Sequence, residues 1–125
     1  MDSFGHINNA NYLTYIEEAR IKYFDEVIKY KYDWSKNGII LAHAELDFKV
    51  PGHFRNNVVI NTRCTAIGTK SIAHEYEIIK QTGEEVITIA SAKTIVVMFN
   101  YEKNVSIPVP EEWKKAIRDF EGKDF

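Results

Sequence analysis

Apolar residues at Tyr12, Leu13, Ile16, Ala19, Tyr23, Phe24, Val27 and Ile28 recur at gaps of three and four. That spacing predicts a long helix over Tyr12–Ile28 with one broad apolar stripe. Asn8, Asn9 and Asn11 stand just upstream as N-cap candidates. From Ile39 to Val50 the period drops to two. Ala42, Ala44, Leu46, Phe48 and Val50 alternate with His43, Glu45, Asp47 and Lys49, and Pro51-Gly52 ends the run. Asn57–Ile67, rich in Val, Ile and Thr, predicts a second strand, with Gly68-Thr69-Lys70 as its turn. Ser71–Lys80 predicts a third, with Ile72, Tyr76 and Ile78 on one face, and Gln81-Thr82-Gly83 turns again. Val86–Phe99 is β-branched on both faces, as a central strand is. The short turns predict hairpin-connected, antiparallel strands. Pro108 and Pro110 introduce a last short helix, with Glu111 and Glu112 at its positive end and Trp113, Ile117 and Phe120 along one side.

The element order is helix, four antiparallel strands, small helix: an α+β architecture in which one long helix packs on one sheet and both bury their apolar faces. The helix is apolar over so wide an arc that the sheet is expected to wrap around it. No repeat or linker interrupts residues 1–125, which predicts a single domain.

Composition narrows the classes. The 16 Lys and Arg against 18 Asp and Glu leave a net charge of -2, without the basic excess of a nucleic-acid binder. One cysteine, Cys64, allows no internal disulfide and suits a reducing compartment. No apolar run approaches the ~20 residues of a membrane span, and no basic segment followed by an apolar one marks a leader. The expectation is a cytoplasmic globular domain with no membrane and no nucleic acid among its partners.

The unusual stretch runs from Asp2 to Tyr12. It concentrates a carboxylate, Gly5, His6 and the amides of Asn8, Asn9 and Asn11 in a turn-prone segment feeding the N-terminus of the long helix. Helix N-termini present unpaired N–H groups and a partial positive charge, which can hold a carbonyl oxygen as it gains charge. A carboxylate a few residues upstream then suits attack on an acyl group, as base or as nucleophile. Composition alone favours plain capping: Asp and Asn gather before helices because they cap them.

The string Asp2-x-x-Gly5-His6-Ile7-Asn8-Asn9-Ala10-x-Tyr12-Leu13, running on to Glu17-Glu18-Ala19-Arg20, resembles the active-site signature of hotdog-fold acyl-CoA thioesterases, in particular the 4-hydroxybenzoyl-CoA thioesterase-like family. Weaker likenesses follow at Asp47-Phe48-Lys49-Val50-Pro51, at Gly68-Thr69-Lys70-Ser71 and at Ile107–Glu112, so the resemblance covers nearly the whole chain. It implies a hotdog fold, with the antiparallel sheet wrapped around the long helix. It also implies hydrolysis of an acyl-CoA to a carboxylic acid and CoA, with no cofactor beyond the CoA of the substrate.

Residue by residue, the family's catalytic aspartate falls on Asp2. Its main-chain oxyanion donor falls near Asn9, its loop glycine on Gly5 and its frequent histidine on His6. Tyr12 joins the substrate-binding set, and Gly68, Thr69, Lys70 and Ser71 match the segment that meets CoA. In such enzymes the site lies between subunits, so the Gly68–Ser71 segment would serve the neighbour's Asp2. Dimers, or dimers of dimers, would form by edge pairing of the Ile39–Val50 strands, which also covers an aggregation-prone edge. The family's first strand, which leads into the aspartate, is expected to be missing from this chain, since only Met1 precedes Asp2.

A thioester carbonyl is electrophilic, and its thiol, with a pKa of about 8.5 for a cysteine-like model, leaves readily, so neither a triad nor a metal is needed. Cys64, in phase with Val58 and Ile60, reads as a buried small hydrophobe. His74, in phase with Ile72 and Tyr76, reads as a satisfied core or interface histidine. His43 and His53 have no second ligand at metal-site spacing, and no metal is predicted. Glu18 is a reserve carboxylate whose plainer role is a solvated or Arg20-facing helix residue, and Lys70 a turn lysine whose plainer state is solvated. Two rival functions stay open: a hotdog hydratase or dehydratase, for which no His or Glu acid–base pair is evident, and a non-catalytic acyl-thioester binding module.

Overall fold

The computed structural model describes residues 3–28, 36–50 and 58–125, with side chains from Tyr12 onward except that of Thr82. Its elements are α1 (Ser3–Val27), β1 (Asn37–Phe48), β2 (Val58–Ile67), β3 (Ser71–Thr82), β4 (Glu85–Asn100), β5 (Val105–Ser106) and α2 (Glu111–Glu121). The sheet runs β1-β4-β3-β2, all antiparallel, with the short β5 beside the end of β4. This is the α+β hotdog architecture.

The strands β2, β3 and β4 form the expected meander. At its first turn the Gly68 N–H donates to the Ser71 carbonyl at 2.8 Å. At its second, Gly83 has φ 63°, a left-handed geometry that glycine adopts without strain. β1 departs from the hairpin expectation. It does not pair with β2 but adds to the far side of β4, Asn37 opposite Asn100 and Phe48 opposite Ala90. Alternation fixes which way side chains face, not which strand lies alongside. β4 is thereby central, and its alternate buried positions Ala90, Ala92, Thr94, Val96 and Met98 form one row under α1. Register shifts at Leu41/His43, Cys64/Ala66 and Ile78/Ile79 mark bulges, which bend and twist a sheet.

The second correction concerns α1. It starts at Ser3, not Tyr12, so the expected capping residues Asn8, Asn9 and Asn11 lie inside the helix. Local capping preference lost to the absence of any breaker stronger than Gly5 in this stretch. The N-terminal half of α1, with Tyr12 and Ile16, packs on Tyr76, Ile78, Ile89 and Ala90. The C-terminal half, with Tyr23, Phe24 and Val27, packs on Ile72, Val96, Met98 and the α2 residues Trp113 and Ile117. The apolar arc is wider than the face the sheet covers: Leu13 is 42% and Ile21 52% exposed.

α2 is flanked by Pro110, whose carbonyl takes the N–H of Trp113 at 3.0 Å, and by Gly122, left-handed at φ 69°, whose N–H returns to the Arg118 carbonyl at 2.8 Å. Its last residue, Glu121, reaches across the core. One carboxylate oxygen accepts from the Tyr23 hydroxyl and from the Cys64 N–H, both at 2.8 Å. It thus ties α1 to the bulge in β2.

Candidate active site

The first part of the expected site lies at the N-terminal end of α1. Asp2 is outside the described residues, as are the side chains of His6 and Asn9. The backbone of Gly5, His6 and Asn9 belongs to α1. In an α-helix starting at Ser3, the N–H groups without a helical acceptor are those of the first four residues, and Asn9 lies beyond them. Tyr12 is buried, its ring edge-on to Phe48 at 5.4 Å and to Tyr15 at 6.0 Å.

The second part, Gly68–Ser71, lies at the other end of the sheet. Ser71 stands opposite Val97, whereas Phe48, which packs on Tyr12, stands opposite Ala90. Seven residues of strand separate them, ~23 Å at 3.3 Å each. One chain therefore does not bring the two parts together. The turn itself is rigidly held. The Thr69 carbonyl accepts from the Val109 N–H at 2.9 Å, and the Lys70 carbonyl from the Met98 N–H at 2.9 Å. Lys70 is not purely solvated, because its Nζ donates to the Ser106 hydroxyl at 3.1 Å.

Elsewhere the structure removes rival nucleophiles. Cys64 and His74 stand directly opposite each other on β2 and β3, both fully buried. Yet among the described residues neither ring nitrogen of His74 has a hydrogen-bond partner. Burial pushes the Cys64 thiol up to about 11, opposed by a backbone hydrogen bond at Ala66 and reinforced by the Glu121 charge. Burial, with Arg20 nearby, pulls His74 down to about 4. Both groups are neutral near pH 7, so they form no thiolate–imidazolium pair. His74 is a core histidine as expected, but an unsatisfied one, packed edge-on against Tyr23 at 4.5 Å and Phe24 at 5.4 Å. Burial first, then the bond to Glu121 and its charge, hold the Tyr23 phenol well above its usual range.

Glu18 does not pair with Arg20. It lines a groove of about 540 Å³ between α1 and β2, with Tyr15, Lys22, Val58, Ile60 and Phe120. On the other side of α1, a groove of about 410 Å³ opens against β1, lined by Arg20, Ile21, Phe24, Gly38, Ile39 and Tyr101, with Glu17 and Asp25. Sequence reasoning missed this second groove. Its one linear signal is Gly38 at the start of a strand, where an added Cβ would run into the Tyr101 ring. His43 bonds Glu45 at 2.9 Å on the open face of the sheet. Among the described residues no three His, Cys, Asp or Glu side chains converge on a metal position, and no helix is long and apolar enough to cross a membrane.

Comparison with known proteins adds four findings. A family model described as the thioesterase-like superfamily matches residues 1–117. A 1,4-dihydroxy-2-naphthoyl-CoA hydrolase from Synechocystis sp. is 28% identical over 81 residues, which span 65% of this chain and 57% of that protein. A Thermus thermophilus thioesterase, solved with coenzyme A and zinc, superposes with a TM-score of 0.74 at 28% identity, over 100% of this chain and 88% of that one. A gentisyl-coenzyme A thioesterase superposes with a TM-score of 0.70 at 27% identity, over 86% and 82%.

Proposed function

This chain belongs to the thioesterase-like superfamily, and from that premise we propose that it hydrolyses acyl-CoA thioesters to a carboxylic acid and CoA, with Asp2 as the acting carboxylate. The observation that carries the reading is the family match across residues 1–117, which takes in the Asp2–Tyr12 stretch of the sequence.

As general base, Asp2 takes a proton from water while the water oxygen adds to the thioester carbon. The oxyanion is held by main-chain N–H groups at the head of α1, the C–S bond breaks, and the thiolate of CoA regains a proton. As nucleophile, Asp2 adds to the same carbon, expels the thiolate and leaves a mixed anhydride that water cleaves. The Gly68–Ser71 turn offers CoA the Lys70 ammonium and the Thr69 and Ser71 hydroxyls. Because that turn and the head of α1 lie at opposite ends of one subunit, the working unit is a homodimer formed across the free edge of β1. There, exposed Ile40 and Leu41 accompany the unpaired edge.

The names of two relatives put hydroxylated aryl-CoA esters first in a substrate panel. Thiol release from that panel tests the reading. Asp2→Asn is expected to lower turnover by roughly 10²–10⁴-fold, the usual worth of a positioned acid–base group. Equal thiol release by the wild type and Asp2→Asn would remove Asp2 from the chemistry. Binding of acyl-CoA with no release by either would make the chain a binding module.

A further inference from the structure

The sheet has two outer strands, β1 and β2, and among the described residues no strand lies on the outer side of either. An unpaired edge is a template for a second copy. A chain that offers both edges adds copies without end, whereas a chain that offers one closes as a dimer. The two edges differ. On β2 the Cys64 N–H donates to the Glu121 carboxylate of α2 at 2.8 Å, so at Cys64 the main chain faces away from β3. Pairing with β3 runs without a register shift from Val58 to Cys64, and alternation therefore turns the N–H groups of Val58, Ile60 and Thr62 outward as well. On β1, among the described residues, no side chain takes a main-chain N–H; His43 bonds the Glu45 carboxylate and Asp47 the Lys49 ammonium instead.

We infer that Glu121 is an edge cap: it closes the outer side of β2 against a second copy of this chain and so leaves β1 as the edge through which copies pair. The inference uses the β1 homodimer proposed above and is independent of the chemistry at Asp2. α2 places Glu121 for this role. Trp113 and Ile117 seat the helix in the core. The Gly122 and Lys123 N–H groups both return to the Arg118 carbonyl, at 2.8 and 3.2 Å, which fixes Glu121 as the last helical residue. The oxygen that takes the Cys64 N–H also accepts from the Tyr23 hydroxyl at 2.8 Å, so α1 holds it in place.

Without the carboxylate this edge is suited to pairing. Val58, Val59 and Ile60 are β-branched, and Val59 is 44% exposed. Val58, Ile60 and Thr62 border the groove of about 540 Å³ beside α1, which leaves room for a further strand. Two copies of β2 running antiparallel about Asn61 would set Val58 opposite the partner's Cys64 and Ile60 opposite the partner's Thr62, each pair exchanging two main-chain bonds. That register needs both Cys64 N–H groups, and both are taken. An approaching strand would also bring a carbonyl to the place where the Glu121 oxygen already lies, oxygen against oxygen. Arg63, the one basic residue of β2, does not offset that repulsion, because it pairs with Glu75 at 3.4 Å.

Sedimentation velocity, at concentrations where urea unfolding shows each protein folded, tests the cap. The wild type should keep the mass of one dimer as concentration rises. In Glu121→Ala the weight-average mass should at least double over the same range and go on growing. Glu121→Gln, whose amide oxygen still accepts from the Cys64 N–H, and Tyr23→Phe, which loses the bond to α1 but keeps the cap, should both stay dimeric. Thr62→Pro removes an outward N–H that β2 pairing needs and no bond to β3. Added to Glu121→Ala it should restore the dimer, although the double variant is the less stable protein. Association that survives Thr62→Pro, or a Glu121→Ala protein that stays dimeric at every concentration, would overturn the inference. Amide exchange locates the contact: Ile60 and Thr62 should slow in the associated Glu121→Ala protein, and unchanged rates there would count equally against the cap. A monomeric wild type would remove the β1 dimer and spare the cap, in which case Glu121→Ala should stop at dimers that Thr62→Pro dissolves. Thiol release enters none of these readouts, so a failure of the hydrolytic reading leaves the test intact.

Discussion

His74 offers the sharpest thermodynamic prediction. It is fully buried on β3, with Tyr23 and Phe24 of α1 edge-on above it, Cys64 beside it on β2 and Thr94 beside it on β4. Burial, reinforced by the Arg20 charge, lowers its pKa from 6.5 to about 4. The unfolded chain therefore binds a proton between those values and the folded protein does not. Stability is complete above the unfolded pKa and is lost as pH falls from there towards the folded one. The gap amounts to about 3 kcal/mol in all, of which about 2 kcal/mol is gone by pH 5. The assay is urea unfolding of the wild type and His74→Phe across that range. The stability difference between the two isolates this residue, because carboxylates titrating in both proteins cancel. His74→Phe also removes two buried ring nitrogens that lack partners, so it should match or exceed the wild type near neutrality and pull ahead by about 2 kcal/mol at pH 5. Parallel curves for the two proteins, or a ring-proton titration of His74 near its ordinary pKa, would refute a neutral, desolvated imidazole.

Other consequences are as direct. Glu121→Ala leaves the Tyr23 hydroxyl and the Cys64 N–H without their acceptor, and should cost about 2 kcal/mol in denaturant unfolding, more than Tyr23→Phe alone. Cys64, buried with its thiol near 11, should react with an aromatic disulfide at pH 8 only at the rate of opening, and stoichiometrically at once in denaturant. Gly122, at φ 69°, should tolerate Asn better than Ala, with Gly122→Ala lowering stability by about 1 kcal/mol.

Element types were legible because hydrophobic period separates helix from strand. Ile16, Phe24 and Val27, or Ile72, Tyr76 and Ile78, announce a buried face without any knowledge of what covers it. Neighbours were not legible. The alternation of β1 is as good for pairing with β2 as with β4, and only the core beneath α1 decides. Long-range polar contacts were equally silent: Glu121 meets Tyr23 across 98 residues, and its place at a helix end predicts nothing of that. The groove against β1 needed coordinates for the same reason, since Arg20, Gly38 and Tyr101 are distant in sequence.

The head of α1 is where local and family signals pull apart, and it can be measured. In a helix from Ser3 the Asn9 N–H pairs with the Gly5 carbonyl, so it is free to hold an oxyanion only if the first turns open. The sequence makes opening cheap. Gly5, Asn8 and Asn9 are poor helix formers, together about 2 kcal/mol worse than alanine, a cost much of which opening recovers. Amide exchange at Asn9 should accordingly be fast beside that of Phe24, deep in the packed half of α1. A non-hydrolysable acyl-CoA analogue that mimics the oxyanion should slow Asn9 selectively. Should Asn9 be as protected as Phe24 and indifferent to the analogue, the donors must be the N–H groups of Ser3, Phe4, Gly5 and His6, which an α-helix begun at Ser3 leaves unpaired.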